Sequence, residues 1–512
     1  MSLASEGQSR VARIGRVLGP LSFACFMLWG DGPMDADQRR VAAVTSLTAI
    51  WWITSALPIG ITSLLPAALL PLLGVMGGRE VAPLYMHDLV FLFIGAFIIA
   101  LGLERWNVHR RMALWIIDRV GASPRRLVLG FMLAAAFLSF WINNTSTTLL
   151  MLPIGVAVIR SVSGKDPSAG DPFSIALLLG VAYSASVGGI ATPVGTTPNQ
   201  IFLGQFQERF PDAPAIAFGQ WMLAWVPLVA LYLPIAWLLL TRVVLKVPAG
   251  GMRGAEVIRA ERRALGPMDR AETSMALIFV ITAVLWVTRG DLDLGFVRIP
   301  GWVHLVLPAS IEAPEKYITD ATVATLMAAL CFLIPAGNGR RERLMDWPTA
   351  NRMPWEVLLL IGAGFAIAGA FKSSQLDQLV GNQIGPLLAG QSSWVMVGGV
   401  VILMAGLTEV TSNTATTAVL LPVLGQAALA SGVSPLLFLL PATVAASCAF
   451  MLPVATPPNA VVFSSGLVPG SSMARVGLVM NVTLVVLITL VVQLWVRRVL
   501  EVGTGLPEWA LP

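Results

Sequence analysis

Apolar stretches long enough to cross a lipid bilayer recur along the whole chain, and short polar connections separate them. Charged residues make up only 12% of the 512 residues, about half of the roughly 25% that soluble domains carry. A chain with so few charges cannot cover a water-facing surface of this size. Inside a bilayer the backbone hydrogen bonds must be satisfied within the segment, which favours helices. We therefore predict an all-α polytopic membrane protein of the inner membrane.

Eleven transmembrane helices and two re-entrant hairpins account for the apolar stretches. The stretch 127–159 is broken in its middle by Asn143-Asn144-Thr145. Its two arms of about 15 residues would each reach only about 22 Å, short of the ~30 Å hydrocarbon core, so a hairpin that enters and leaves on one side is predicted. The arginine-rich stretch 105–126 is amphipathic and is predicted to lie along the membrane surface. Hairpins are expected at 127–159 and 396–431, and spans at 14–31, 41–58, 60–77, 88–104, 174–206, 219–245, 273–289, 321–336, 355–371, 435–466 and 476–498.

The placement of arginine and lysine predicts the side of the membrane that each connection occupies. Three segments are rich in these residues: the tail before the first span, the connection 242–272 and the connection 338–354. All three fall on one side of the predicted topology, and the opposite loops 206–218 and 290–320 are poor in basic residues. The positive-inside rule places the N-terminus in the cytoplasm, and an odd number of spans places the C-terminus outside. The net charge of +5 therefore needs no nucleic-acid partner.

Two segments of the chain repeat one another. Residues 139–153 and 408–422 align at a fixed shift of 269 residues and share six identities in fifteen positions. The pentapeptide GTTPN at 195–199 likewise matches ATPPN at 455–459. The order of span, hairpin and broken span therefore occurs twice along the chain. In the predicted topology the two hairpins enter the membrane from opposite sides, so the two halves are inverted repeats. Interrupted apolar segments at matching positions of two halves indicate a transporter binding site near the membrane midplane.

The residue types in these motifs suit an anion that binds together with cations. Proline and glycine interrupt the helices at 193–198 and 453–458. The interruptions leave free N–H groups at new helix N-termini, which favour anions, and free C=O groups at new C-termini, which favour cations. Asn and Thr add the oxygen ligands that hard cations such as Na⁺ prefer. Because the motifs contain no arginine or lysine, bound cations are expected to compensate the charge of an anionic substrate.

Three alternatives compete with a transporter. The Asn, Ser and Thr side chains could simply join helices by hydrogen bonds, as in many membrane proteins. A membrane-embedded enzyme would need several catalytic groups at membrane depth, whereas only Glu409 adjoins the motifs, so no catalytic residue is assigned. Glu409 is expected either to take part in the site or to brace the second hairpin. A channel is disfavoured because paired hairpins that meet at the midplane do not leave a continuous pore.

The second motif and the end of the second broken span carry a specific resemblance. The motif is Ser412-Asn413-Thr414, and residues 446–462 read ASCAFMLPVATPPNAVV. The chain resembles the divalent-anion/sodium symporter family, which includes solute carrier family 13, over nearly its whole length. The resemblance implies a homodimer in which a fixed scaffold domain holds a moving transport domain that works as an elevator. It also implies import of di- or tricarboxylates, or of sulfate in some branches, driven by several Na⁺ ions.

The resemblance implies two sodium sites with a substrate site between them, at the positions that match the family's motifs. The first sodium site is expected at Ser139, Asn143, Asn144 and Gly195. The second is expected at Thr408, Thr411, Asn413 and Ala455. The substrate is expected to contact Asn144, Thr145, Thr196, Asn413, Thr414, Thr456 and Pro457.

The resemblance also divides the chain into scaffold and transport regions. Scaffold helices are expected at 1–87, 207–354 and 467–512. Transport regions, each with a surface arm, a hairpin and a broken helix, are expected at 88–206 and 355–466. We predict a secondary active transporter that imports C4-dicarboxylates such as succinate, fumarate or malate together with two or more Na⁺ ions, in contact with membrane lipids. The alternatives are a sulfate or citrate symporter and a sodium-independent dicarboxylate exchanger of the same fold.

One position departs from the family's pattern. Asn143 stands in the first motif where the family has Ser. An amide oxygen is able to ligate Na⁺, but the asparagine side chain is larger than that of serine. The larger side chain changes the expected geometry of the first cation site. A sodium-independent exchanger therefore stays an alternative.

Overall fold

A computed structural model gives the fold of the chain for residues 2–30, 32–121, 123–163, 170–248, 254–293, 298–308, 311, 314–337, 342–388 and 390–511. Over these residues the chain is helical apart from scattered 3-10 turns, connecting loops and one antiparallel pair of two-residue strands. Eight of the described helices are long and apolar enough to cross a membrane, and four shorter apolar helices accompany them. The predicted all-α class with several membrane-spanning helices is confirmed, while the number eleven stays a prediction.

The N-terminal region contains two long helices followed by three short ones. They are α1 (Ser2–Leu28), α2 (Ala36–Thr54), α3 (Ile59–Thr62), α4 (Leu65–Leu72) and α5 (Gly78–Leu84). The indole N–H of Trp51 on α2 donates to the carbonyl of Gly15 on α1 at 3.0 Å, and this bond joins the two long helices. The predicted span 60–77 is split into α3 and α4, because Pro66 in the first turn of α4 has no N–H to bond the preceding turn.

The first repeat contains an apolar helix, a short amphipathic helix, a hairpin and a broken helix. These elements are α6 (Asp88–Arg105), α7 (Val108–Val120), α8 (Pro124–Ser139), α9 (Asn144–Ser163), α10 (Pro172–Gly188) and α11 (Thr197–Arg209). Helix α7 lies within the stretch predicted as a surface helix and packs against α8. Gly130 on α8 permits the close approach, since a Cβ there would lie 3.2 Å from the Cα of Ile117.

The middle region connects the two repeats. Its helices and strands are α12 (Phe218–Leu238), α13 (Gly254–Ala264), α14 (Arg270–Val287), β1 (Leu292–Asp293), β2 (Arg298–Ile299), α15 (Val303–Val306), α16 (Asp320–Leu333) and α17 (Trp347–Ala350). Helix α12 continues as a π-helix over Leu239–Val244. A buried ion pair joins α14 to α16, in which Arg289 Nε lies 2.5 Å from Asp320 Oδ1. The pair ties the end of one apolar helix to the start of the next.

The second repeat has the same order of elements, and a long helix follows it. They are α18 (Trp355–Ser374), α19 (Leu376–Leu388), α20 (Ser393–Thr408), α21 (Asn413–Ala430), α22 (Leu436–Ala446), α23 (Pro457–Ser464), α24 (Gly470–Val491) and α25 (Arg497–Val499). A π-helix over Val492–Val496 joins the last two. Helix α24, which was predicted to belong to the scaffold, packs against α20, α22 and α12.

The two repeats match in the order of their helices and in the lengths of some of them. The first helices of the hairpins, α8 and α20, both have 16 residues, and the amphipathic helices α7 and α19 both have 13. Helices α9 and α21 begin at residues 144 and 413, which differ by the same 269 residues as the sequence repeat. The sequence repeat is therefore a repeat of structure.

The length argument for a re-entrant first hairpin is wrong for its second arm. Helix α9 has 20 residues because it continues past the apolar stretch, which ends at residue 159, to Ser163. At 1.5 Å per residue it reaches about 30 Å, which is enough to cross the hydrocarbon core. The re-entrant character of the hairpin therefore has to rest on the repeat symmetry and not on length.

The repeats interlock, because each second half-helix packs on the hairpin of the other repeat. Helix α11 of the first repeat packs against α21, α22 and α18, and α23 of the second repeat packs against α9 and α10. Gln205 on α11 donates from Nε2 to the carbonyls of Ala418, at 2.9 Å, and Gly364, at 3.1 Å. Tyr183 on α10 donates its hydroxyl to Phe450 O at 2.8 Å. The two hairpins and two broken helices thus form one packed unit.

Candidate functional site

The first hairpin tip connects the end of α8 to the start of α9. The hydroxyl of Ser139 donates to Asn144 Oδ1 at 2.6 Å across the tip. Thr148, one turn later, donates to Asn144 O at 2.8 Å and steadies the first turn of α9. The side chain of Asn143 is exposed, and its Oδ1 accepts the N–H of Ser146 at 2.8 Å. Asn143 therefore acts as a helix cap at the position where the resemblance expects a serine.

The first broken helix is unwound between α10 and α11. A 3-10 turn, Gly189–Ala191, follows α10, and the backbone is extended at Thr192 and again at Thr196. Asn199 on α11 donates from Nδ2 to the carbonyls of Gly189, at 3.1 Å, and Thr192, at 2.8 Å. Trp221 on α12 donates to Ile190 O at 2.9 Å. These bonds satisfy several carbonyls that an unbroken helix would have bonded internally.

Two glycines bring the tip and the first unwound segment together. A Cβ on Gly195 would lie 2.5 Å from Gly189 O and 2.8 Å from Ser139 O. A Cβ on Gly189 would lie 2.6 Å from Asn144 Oδ1. Neither position accepts a side chain without movement of backbone atoms. The structure thus places Ser139, Asn144 and Gly195 of the predicted first sodium site side by side, in a cluster of oxygen atoms.

The second hairpin tip repeats the geometry of the first. The hydroxyl of Thr408, at the position equivalent to Ser139, lies 2.5 Å from Asn413 Oδ1 and 2.8 Å from Ala446 O. Thr417 donates to Asn413 O at 2.7 Å, as Thr148 does in the first repeat. The hydroxyl of Thr411 is directed elsewhere, since it bonds Leu407 O and Thr416 Oγ1 within the hairpin.

The second unwound segment, 447–456, connects α22 to α23. Asn459 on α23 donates from Nδ2 to the carbonyls of Ala449, at 3.1 Å, and Leu452, at 3.0 Å. Thr456 caps α23, and its hydroxyl accepts the N–H of Asn459 at 3.3 Å. Ala455 is buried within this segment, and Pro457 begins α23 and is exposed. Asn459 therefore satisfies carbonyls of the second unwound segment, as its counterpart Asn199 does in the first.

Glu409 braces the second unwound segment. Its carboxylate accepts three successive backbone N–H groups, those of Phe450 at 2.7 Å, Met451 at 3.0 Å and Leu452 at 3.2 Å. It also accepts Asn481 Nδ2 on α24 at 2.5 Å. Of the two roles expected for Glu409, the structure supports the brace, since the carboxylate oxygens are fully engaged.

The two unwound segments meet across the repeat. Ser447 at the end of α22 donates its hydroxyl to Thr196 Oγ1 at 3.5 Å, and both residues are buried. Thr145 and Thr414, each in the first turn of the helix after a tip, are half-buried. Within the described part of the chain neither threonine hydroxyl has a hydrogen-bond partner, so both are available to a ligand.

Asn199 and Asn459 lie at the two breaks beside the oxygen clusters, and the sequence analysis did not assign them to the site. Their amide oxygens are buried and lack hydrogen-bond partners among the described residues. The two residues end the matched pentapeptides GTTPN and ATPPN, and this was the signal that could have identified them. A buried amide oxygen without a donor is a suitable neighbour for a cation.

The electrostatics of the site follow from helix ends. Helices α9, α11, α21 and α23 begin here and present N-termini, while α8, α10, α20 and α22 end here and present C-termini. N-termini favour an anion and C-terminal carbonyls favour cations. Over the described residues there is no group of three or more His, Cys, Asp or Glu that could hold a transition metal. The oxygen clusters suit a hard monovalent cation, as the sequence predicted.

Two solved transporter structures share the fold at 14% sequence identity. The YdaH transporter of Alcanivorax borkumensis gives a TM-score of 0.55, and the match covers 83% of this chain and 88% of that one. MtrF of Neisseria gonorrhoeae, described among antimetabolite efflux pumps, gives a TM-score of 0.59 and covers 98% of this chain and 97% of its own. At this identity the likeness concerns the fold alone.

Comparison of the sequence identifies much nearer relatives. The sodium-dependent dicarboxylate transporters SdcS of Staphylococcus saprophyticus and Staphylococcus aureus are each 38% identical to this chain, over 502 and 503 residues. Each match covers 96% of this chain and 93% of the relative. A family model described as the sodium:sulfate symporter transmembrane region matches residues 23–502. The chain therefore belongs to the sodium:sulfate symporter family of membrane transporters, as its motifs indicated, and is not an enzyme.

Proposed function

We propose that this protein imports C4-dicarboxylates such as succinate, fumarate or malate, coupled to Na⁺. The observation that carries the proposal is the pair of oxygen clusters at the hairpin tips, which the contact between Thr196 and Ser447 joins into one site. The relatives named sodium-dependent dicarboxylate transporters support the choice of cation and of cargo.

The two clusters serve as sodium sites. The first uses Ser139, Asn144 and the backbone at Gly195, with Asn143 at its edge. The second uses Thr408 and Asn413, with the backbone at Thr411 and Ala455. Na⁺ binds hydroxyl, amide and carbonyl oxygens without a need for a carboxylate ligand. Two or more bound ions supply positive charge that the site lacks, because Lys and Arg are absent from both tips and both unwound segments.

The substrate site lies between the two clusters. The hydroxyls of Thr145 and Thr414 and the amides of Asn144 and Asn413 donate to the carboxylates. The N-terminal ends of α11 and α23, at Thr196, Thr456 and Pro457, add a favourable helix dipole. A dicarboxylate thus contacts both repeats at once, one carboxylate at each hairpin tip.

Transport proceeds by an elevator movement in a homodimer. The interlocked hairpins and broken helices, within 88–206 and 355–466, move as one body against scaffold helices at 1–87, 207–354 and 467–512. The mutual packing of α11 and α23 on the opposite hairpins supports movement as a unit, since separate motion of either repeat would break these contacts. The N-terminus is cytoplasmic and the C-terminus is outside.

Uptake of radiolabelled succinate into proteoliposomes tests the proposal. We expect uptake to require an inward Na⁺ gradient and to be reduced little by unlabelled sulfate or citrate. Thr414→Val removes a hydroxyl that has no hydrogen-bond partner among the described residues, so it should leave folding intact. It should weaken succinate binding about tenfold to a hundredfold, the value of a hydrogen bond to a charged group. Thr325→Val, at an exposed position on α16 whose hydroxyl likewise has no hydrogen-bond partner among the described residues, is the matched control.

Other outcomes would assign a different activity. Uptake that does not depend on Na⁺ but requires dicarboxylate inside the proteoliposomes would identify the protein as an exchanger. That second candidate is favoured by one observation, since Asn143 Oδ1 caps α9 and accepts Ser146 N–H instead of joining the first oxygen cluster. Folded protein that takes up sulfate or citrate in place of succinate would refute the C4-dicarboxylate assignment.

A further inference from the structure

A basic cavity lies away from the hairpin tips, where α7 meets α13 and the turn that precedes α14. Its volume is about 350 Å³, within the range of small-molecule sites in proteins. The cavity is lined by Arg111, Trp115, Arg262, Arg263 and Gly266. Three guanidinium groups and one indole therefore surround a space that none of the proposed transport steps uses.

Two of the three arginines are held in place by carboxylates. Arg111 makes a two-point contact with Glu272, with Nε 2.5 Å from Oε1 and a second nitrogen 2.9 Å from Oε2, and also donates to Gly266 O at 3.0 Å. Arg262 is paired with Asp118 on α7. The third arginine, Arg263, has no ion pair among the described residues. The cavity is thus lined by two arginines that carboxylates hold in place and by one arginine, Arg263, whose charge no described carboxylate balances.

The surrounding surface is suited to the polar boundary of a membrane. Helix α7 buries Ala113, Leu114 and Ile117 against the protein. On its other side Trp115 is 50% exposed, and the guanidinium of Arg119 lies 4.6 Å from the centre of its ring. Exposed tryptophan flanked by arginine is typical of positions at the level of lipid headgroups.

We infer that this cavity binds a phosphate group at the membrane surface, supplied by the headgroup of an anionic phospholipid. Arginine forms bidentate bonds to phosphate oxygens, and Arg263 is free to do so while Arg111 and Arg262 add charge from fixed positions. The exposed indole of Trp115 lies where the glycerol and upper acyl region of a lipid would pass. Basic pockets beside membrane helices are known to bind anionic headgroups in this way.

A lipid bound here would connect two regions that the proposed mechanism moves separately. Helix α13 belongs to the connection between the repeats and packs on both α7 and α9, and α7 packs on α8. The cavity is therefore shared between the connection 242–272 and α7, the helix that packs on the first hairpin. We expect an anionic lipid to strengthen this contact and so to change the rate of transport without entering the substrate site.

Lipid retention by the purified full-length protein tests the inference. Native mass spectrometry would count phosphatidylglycerol molecules that remain bound after purification from nanodiscs of phosphatidylcholine with a minor fraction of phosphatidylglycerol. We expect Arg263→Gln to weaken retention of one phosphatidylglycerol about fivefold, the usual contribution of one basic residue near a membrane. Arg498→Gln removes an equal charge from an exposed site on α25 and is the matched control.

A second arm distinguishes the lipid from a soluble anion. Glycerol 3-phosphate and inorganic phosphate would be added to the detergent-solubilised protein as competitors. Displacement of phosphatidylglycerol only at concentrations far above those of the lipid supports a lipid site, and equal competition assigns the same phosphate chemistry to a soluble ligand. Equal retention by Arg263→Gln and Arg498→Gln, or no retained phosphatidylglycerol in the unaltered protein, would overturn the inference.

Discussion

Replacement of Glu409 with glutamine tests how the second unwound segment is held in place. The side chain is 7% exposed and accepts hydrogen bonds from Phe450, Met451 and Leu452 and from the amide of Asn481. Glutamine has almost the same shape but only one acceptor oxygen and no charge. The change therefore weakens the brace with little effect on packing.

The cost follows from the individual bonds. A hydrogen bond to a charged group contributes about 1.5–3 kcal/mol, and a neutral one about 0.5–1.5 kcal/mol. Glutamine keeps one oxygen for Phe450 N–H and Asn481, but those bonds become neutral. Its NH₂ group then faces the N–H of Leu452, where two donors oppose each other. The sum is a loss of about 3–5 kcal/mol in the free energy that holds this segment in place.

Cysteine labelling measures that loss directly. Cys448 lies in the braced segment and is 2% exposed, so a thiol reagent reaches it only when the segment opens. A loss of 3 kcal/mol raises the opened fraction, and hence the labelling rate, about a hundredfold. Cys331 on α16 is buried elsewhere and should stay unlabelled, and exposed Cys25 would first be replaced by alanine. Glu256→Gln, at an exposed position on α13, is the matched control.

Two results would refute this reasoning. A labelling rate of Cys448 that is unchanged in Glu409→Gln would mean that the carboxylate does not hold the segment. Equal acceleration of labelling at Cys331 would mean that the whole protein was destabilised and not the segment alone. Asn481→Ala, which removes one of the donors, should give a smaller effect of about tenfold, because a single bond to the carboxylate is lost.

Three further predictions concern the glycine contacts and the first motif. Gly195→Ala places a Cβ 2.8 Å from Ser139 O, so we expect a folded protein whose half-saturating Na⁺ concentration rises at least about tenfold in uptake assays; an unchanged value would refute the first cation site. Asn143→Ser keeps a good helix cap, so thermal stability should change by less than about 1 kcal/mol and sodium dependence should persist. Gly204→Ala places a Cβ 1.7 Å from Phe365 Cζ and should lower stability by about 1–3 kcal/mol in thermal unfolding, with Phe365→Leu partly restoring it.

Much of the fold could be predicted because a single sequence shift aligns the two repeats and because both contain helix-breaking residues at matching positions. The 269-residue shift that aligns Asn144 with Asn413 in the sequence also aligns the helices that these residues begin. The bonds Ser139–Asn144 and Thr408–Asn413 then follow from equal spacing within each motif. The local sequence was sufficient to predict these bonds because the two residues of each pair are only five positions apart, across one hairpin tip.

Other features could not be predicted because they depend on distant contacts. Nothing local in the sequence indicates that Gln205 bonds the hairpin of the other repeat at Ala418, which is 213 residues away. The roles of Asn199 and Asn459 depend on the path of the unwound backbone, since each amide group bonds carbonyls seven to ten residues earlier. The length of α9 was underestimated because the helix continues to Ser163, beyond the apolar stretch that ends at residue 159.

The two cation clusters are alike in geometry but differ in charge. Phe140 occupies in the first repeat the position of Glu409 in the second, and there a neutral hydroxyl, that of Thr192, bonds the Phe140 carbonyl at 2.5 Å. The backbone N–H groups that donate to Glu409 carry no net charge and do not neutralise the carboxylate. The second hairpin tip therefore keeps a negative charge that the first hairpin tip lacks. A nearby negative charge favours a bound cation. We therefore expect the second cluster to hold Na⁺ more tightly, and Glu409→Gln to raise the half-saturating Na⁺ concentration. A sodium dependence identical to that of the unaltered protein would refute a contribution of Glu409 to cation binding, through its charge or through the segment that it holds.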